Sequence, residues 1–290
     1  MISTLPVVDI SATALKSSVT LPQFADGGGW TTRIILVNPS DSSMSGSIRL
    51  TDGNGQALQT LPFSISQRTS FKFVTAGTGA AVQSGSVQIA PDSGSAAPVA
   101  EAIFSFKSGG ITVSEAAVPA TSGSALRMYV EASGAPGTAG AIQSGVAVSN
   151  LSSTPATVNF DLTGLDGTPL ATGALNLPAN GQAAKFLNEI LPSVPQSMKG
   201  ILRITTSGSS IAVVGLRGRY NERGDFLITT TPPAVETASP SANVSLFPHI
   251  VDAGSYTTQF ILFDGAASGS MNGDVRFIDQ TGNALGLSLN

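Results

Sequence analysis

Apolar and polar residues alternate in short runs along most of the chain. Met44, Gly46, Ile48 and Leu50 alternate with Ser45, Ser47, Arg49 and Thr51, a period of two that turns one face of a strand toward a core. Asp52-Gly53-Asn54-Gly55 follows and supplies the Gly and Asn residues that a tight hairpin tolerates at positive φ. Further strands are predicted at 34–37, 56–65, 69–74, 85–90, 100–107 and 111–116, with Ser108-Gly109-Gly110 joining the last two as a hairpin. Short strands with turn signals at this spacing predict an all-β sandwich of about eight strands. Ile34, Leu36, Ile48, Leu50, Phe71, Phe73, Val87, Ile89, Ile103 and Val113 are its expected core.

The pattern recurs. LPQFADGGGWTTRIILVN at 21–38 is echoed by FPHIVDAGSYTTQFILFD at 247–264, with Pro22 matching Pro248, Asp26 matching Asp252 and Trp30 matching Tyr256 at a constant offset of 226. A weaker copy lies midway: Gly140 matches Gly28, Asn150 matches Asn38 and Leu162 matches Leu50 at 112. Recurrence at a fixed period means stacked similar units. The expected organisation is a tail or linker at 1–18, a first sandwich at 19–120, a linker at 121–126, a second sandwich at 127–233, a linker at 234–242 and an incomplete third at 243–290. Irregular structure is expected at 118–124 and 231–242, where Pro is followed by Ala, Thr and Ser. A short helix is expected at 183–191, stopped by Pro192 and Pro195. The third copy has strand-like runs at 246–251, 257–263, 274–278 and 284–289, but no counterparts of the later strands. It is expected to show an exposed apolar face and open edges.

Composition narrows the class. Charged residues are 11% of the 290, the net charge is −4, and no basic stripe favours nucleic acid. The chain has no cysteine, so disulfides and thiolate-bound metal are excluded. No run reaches the ~20 apolar residues of a membrane helix, and 1–18 lacks the basic-then-apolar order of an export signal.

Three stretches together, FADGGGWTTRIILVNPS at 24–40, VSEAAVPA at 113–120 and GLRGRYNERGDFLITTTPP at 215–233, resemble an uncharacterised tandem Ig-like β-sandwich repeat of long secreted or cell-surface proteins of environmental bacteria. The resemblance covers nearly the whole chain. It implies a bacterial, extracellular or cell-surface setting, and it carries no catalytic residues.

Candidate chemistry is sparse. His249, the single histidine, has no acid in a paired position and stands where the first copy has Gln23; it is expected at a surface or turn. Calcium is one use for the acidic turns at Asp26, Asp252, Asp52 and Asp279, but each offers about one carboxylate where calcium wants six or more oxygens, so turn support is expected. Gly27-Gly28-Gly29 precedes a strand rather than a helix and is therefore a turn, not a phosphate cradle. Arg217, Arg219, Glu222, Arg223 and Asp225 surround a hairpin turn and are expected to pair across it. Arg223-Gly224-Asp225 spells an integrin-recognition tripeptide, and Asn150-Leu151-Ser152 and Asn243-Val244-Ser245 spell glycosylation sequons; neither spelling is expected to act here.

The expected role is a non-enzymatic extracellular spacer, stalk or adhesion surface of a larger protein, with no cofactor and no metal. The rival from another class is a carbohydrate-binding module stacking sugars on Trp30, Tyr220, Tyr256 and Tyr129. A third expectation is an accessory segment of a secreted enzyme. Expected partners are surface glycans, other copies of the array, or a chain donating strands to 243–290. Exposure of Trp30 and Tyr256 is the feature that separates stacking from packing.

Overall fold

A computed structural model describes residues 15–236, 244–266 and 272–287. The chain divides into two compact units, Met1–Glu236 and Thr237–Asn290. The first is almost entirely antiparallel sheet. Its strands are β1 (Val19–Asp26), β2 (Trp30–Val37), β3 (Met44–Asp52), β4 (Ala57–Ile65), β5 (Ser70–Val74), β6 (Gln83–Pro91), β7 (Val99–Ser108) and β8 (Ile111–Pro119). They continue as β9 (Ser122–Gly123), β10 (Ala125–Ser133), β11 (Ile142–Asn150), β12 (Ala156–Gly164), β13 (Pro169–Leu177) and β14 (Gln182–Phe186). A one-turn helix α1 (Leu187–Ile190) precedes β15 (Met198–Thr206), β16 (Ile211–Tyr220), β17 (Phe226–Thr231) and β18 (Ala234–Val235).

In the first half the strands form two sheets, β1-β6-β3-β4 and β5-β2-β7-β8. One apolar cluster joins them: Leu21, Phe24, Ile48, Leu50, Val87 and Ile89 from one sheet meet Ile34, Leu36, Ala102 and Phe104 from the other. The second half has the same order, β10-β15-β12-β13 and β14-β11-β16-β17, with β10 and β11 also paired at one corner. Its cluster is built from Leu126, Met128, Phe160, Leu162, Leu202 and Ile204 against Val146, Val148, Ile211 and Val213. The agreement reaches single residues. A Cβ on Gly85 would meet the carbonyl oxygen of Thr51, and one on Gly200 that of Thr163, so both strand crossings need a residue without a side chain.

Two equivalent asparagines close the equivalent loops. Asn38, 1% exposed, donates from Nδ2 to the carbonyl oxygens of Ser42 (2.7 Å) and Ser66 (3.0 Å) and accepts from the Ser40 N–H (2.9 Å). Asn150, 2% exposed, donates to Thr154 (2.8 Å) and Pro178 (2.9 Å) and accepts from Ser152 (2.9 Å). Its amide is therefore committed inside the fold. Asn243 of the other sequon lies outside the described residues.

Several expectations need correction. In β7 the inward residues are Ala102 and Phe104; Ile103 is buried but lies outside the core cluster, and in β8 Ala116 and Val118 point inward rather than Val113. Apolar residues occupy both faces of these strands, so alternation did not fix the register. Phe71 and Phe73 are half-buried against the core. The helix expected at 183–191 is mostly strand β14, and only Leu187–Ile190 coils.

The segment 118–124 is not an irregular linker. Val118 is buried in β8, and Ser122 and Gly123 pair with Ala212 and Ile211. Within 231–242, Ala234 and Val235 pair with Arg127 and Leu126, while 237–243 lie outside the described residues.

In the second unit the described residues form no strand. Isolated bridges join Ala253 to Tyr256 and Ile278 to Ala284. Leu246, Phe247, Leu262, Val275 and Ile278 are exposed. Local turns nevertheless copy the first half. Thr258 Oγ1 donates to the Val251 carbonyl (2.8 Å) and accepts its N–H (3.1 Å), as Thr32 Oγ1 does with Ala25 (2.7 and 2.9 Å). Asp279 accepts from the N–H groups of Thr281 and Asn283, as Asp52 does from Asn54 and Gln56. The strands expected at 246–251, 257–263 and 274–278 therefore keep their turns without their ladders. So does 284–287 of the strand expected at 284–289, whose last two residues lie outside the described residues. Two or three strands without an opposing sheet are marginal.

Candidate functional site

The two halves of the first unit are joined through a common core. Ala147, Val214, Leu216 and Ile228 of the second half belong to the apolar cluster of the first. Val214 and Leu216 alternate along β16 with Ile211 and Val213, which face the other cluster. One strand thus lines two cores from its two faces.

Polar contacts fix the junction. Where β1 bulges at Pro22 and Gln23, Gln182 Nε2 donates to the Pro22 carbonyl (3.1 Å) and to Gln23 Oε1 (2.7 Å). The Gln182 N–H donates to the Gly53 carbonyl (3.0 Å). On the other side Ser114 Oγ accepts the Ile228 N–H (2.8 Å) and donates to its carbonyl (3.0 Å). Thr230 Oγ1 donates to the Ala117 carbonyl. The outward backbone groups of Ile228 on edge strand β17 are thereby satisfied.

A crevice of about 200 Å³ lies in this junction, with Gln23, Trp30, Ser84 and Phe104 on one wall and Leu216 and Ile228 on the other. Trp30 is half-buried, with its ring centroid 5.6 Å from that of Phe104 and 4.9 Å from that of Phe106. Gly28 and Gly29, both at positive φ, form the tight turn that starts β2 at Trp30. Tyr256 of the second unit is 60% exposed. Tyr220 is half-buried, with its ring 5.0 Å from that of Phe226. The stacking candidates are thus not alike: Trp30 and Tyr220 pack in the first unit, while Tyr256 is open in the second.

Tyr129 is half-buried and donates to Glu131 Oε2 at 3.3 Å. Burial, and then the Glu131 charge, push its phenol up to about 12. Glu131 also pairs with Arg217 at 2.6 Å, so Arg217 reaches to β10 and not across its own hairpin. Arg219 meets Glu222 at 3.2 Å. In the Arg223-Gly224-Asp225 turn, Asn221 Nδ2 donates to the Asp225 carboxylate at 2.9 Å and Asn221 Oδ1 accepts the Asp225 N–H, which ties that carboxylate into its own turn.

The strongest charge cluster was not visible in the sequence. Glu236, just after β18, has a side chain 4% exposed and takes Arg127 at 2.7 Å and Arg203 at 2.8 Å. The Arg203 hydrogen bond, then that of Arg127, hold its carboxyl below the ordinary range against the opposing effect of burial. Its partners lie 109 and 33 residues away, beyond any local spacing rule. Glu101 in β7 is the reverse case: Oε1 is buried without a hydrogen-bond partner, and burial pushes the carboxyl up.

His249 is exposed. Asp26 accepts the Gly77 N–H at 2.7 Å. Asp279 is held below its usual value by hydrogen bonds from Thr281 and Asn283. Among the described residues, no three His, Cys, Asp or Glu side chains gather as a metal site, and no helix is long and apolar enough to cross a membrane.

No protein-family model matches the chain, and no curated protein matches it.

Proposed function

We infer that the chain is a tandem array of Ig-like sandwich modules serving as a non-catalytic spacer or adhesion segment of a larger extracellular bacterial protein. The observation that carries this reading is the common core of the first unit, in which β16 supplies side chains to both halves. A joint of that kind resists bending, which is what a stalk requires. The Ig-like character rests on strand adjacency: β1–β6, β2–β7 and β7–β8 neighbour one another as B–E, C–F and F–G do in that fold, with β3–β4 as an added hairpin. Repetition is supported by the shared strand order and by the paired Asn38/Asn150 and Gly85/Gly200. The non-catalytic role is supported by where the polar groups go: into turns, the junction and the Glu236 cluster.

The test is a swap in the source cell. Residues 19–236 are replaced by an unrelated rigid sandwich pair of equal length, and intact cells are labelled for display and scored for attachment. Unchanged display and attachment support a spacer. Loss of attachment with display intact assigns a specific adhesive surface, and absence of label on intact cells in the unaltered protein removes the extracellular setting.

A further inference from the structure

The junction crevice has a chemistry that a spacer does not require. Its apolar wall is made by the Trp30 indole, Phe104, Leu216 and Ile228, and its polar groups are the Gln23 amide and the Ser84 hydroxyl. The Gln23 amide is oriented. Its Oε1 accepts from Gln182, which leaves the Nε2 hydrogens as the donors available to the crevice. None of the lining side chains is charged, so a charged ligand would enter without compensation. A purely apolar ligand would cover the amide donors without offering them an acceptor. The volume of about 200 Å³ equals that of six or seven liquid waters, the space of one hydroxylated ring. Clefts between modules are common ligand sites. The aromatic and the hydrogen-bonding side chain also travel together: Trp30 and Gln23 become Tyr256 and His249 at the 226-residue offset, whereas the intervening copy has Ile142 in the aromatic slot.

We propose that this crevice binds a single neutral sugar ring, placed against the Trp30 indole and held by Gln23 and Ser84. Trp30 is the only tryptophan in the chain, so its indole N–H resonance and its fluorescence report the site directly in the 290-residue chain. The probes are methyl glucoside, methyl galactoside and N-acetylglucosamine, with cyclohexanol as the apolar control. At least one sugar is expected to shift the indole resonance saturably in the millimolar range. Ser84 is exposed at the rim, so Ser84→Phe is expected to abolish the shift while leaving the thermal unfolding midpoint unchanged. Gln23→Leu is expected to weaken the sugar about fivefold, the value of one neutral hydrogen bond. A saturable response to cyclohexanol and none to the sugars would overturn the sugar assignment. No saturable response to any probe, or an undiminished sugar response in a folded Ser84→Phe protein, would overturn the site. None of these outcomes bears on the spacer reading, which rests on the swap.

Discussion

At the residue scale the fold depends on a few polar side chains that are fully used. Asn38 and Asn150 each serve two or more carbonyl groups and one N–H from a buried position. Replacement by Ala removes these bonds. The Ser66, Ser42 and Pro178 carbonyls keep Thr69, Ser40 and Gly181 as donors. The Thr154 carbonyl and the Ser152 N–H lose the Asn150 amide, and the cost is about 1–3 kcal/mol per site. Asn150→Ala is therefore expected to lower the denaturation midpoint sharply in urea. A change smaller than that of a surface substitution would contradict the assigned role. Glu236 gives a pH-dependent counterpart. Its folded carboxyl lies below the ordinary 4.5, so its stabilisation is fully present above that value. The contribution is lost as the pH falls through the lower folded value. The protection of the Glu236 amide, which donates to the Ala125 carbonyl, measured as observed exchange relative to the intrinsic rate at each pH, should fall on acidification below about pH 4.5 in the natural protein. In Glu236→Gln, which loses charge-assisted bonds worth about 2 kcal/mol, exchange should already be fast at neutral pH.

At the scale of elements, the legible strands were those with one apolar face. In β3, alternation at 44–51 placed Ile48 and Leu50 correctly in the core. β7 was visible as a strand, but Ala102, Ile103 and Phe104 are all apolar and all buried, so period two carried no register. The segment 118–124 was misjudged because Pro, Ala and Ser bury little by side chain, whereas β9 is held by backbone pairing to β16. Trp30 was found as a candidate, but its crevice was not, since Leu216 and Ile228 lie far along the chain and arrive only through the junction. The strand crossings at Gly85 and Gly200 supply a direct check. Gly200→Ala forces a methyl group onto the Thr163 carbonyl and is expected to destabilise the second half by about 1–3 kcal/mol, measured by chemical denaturation. Gly137→Ala meets nothing within contact distance but lies at φ +83, a strain that Gly200 does not carry, so its cost measures backbone strain without a clash.

At the scale of the first unit, its two halves are expected to unfold together. Leu216→Ala removes a side chain of the second half that belongs to the core of the first. A cost of about 2–4 kcal/mol is expected, and exchange should rise in β1 and β8 as well as in β16. A faster exchange confined to the second half would argue against the common core. Residues 19–120 expressed alone lose Ala147, Val214, Leu216 and Ile228 as a cover and are expected to bind a hydrophobic dye, which residues 19–236 should not.

The strand β16 that faces two cores also constrains how such a gene can grow. A duplication that copied one half by itself would place a Leu216-like face in solvent, or leave a β1 edge without its cover. A duplication of both halves carries the joint along intact. The bulge residues Pro22 and Gln23 that meet Gln182 have counterparts in Pro248 and His249 at 226 residues. On the proposed tandem-array reading the heritable brick is the pair, and lengthening or shortening by recombination is expected to proceed in steps of two.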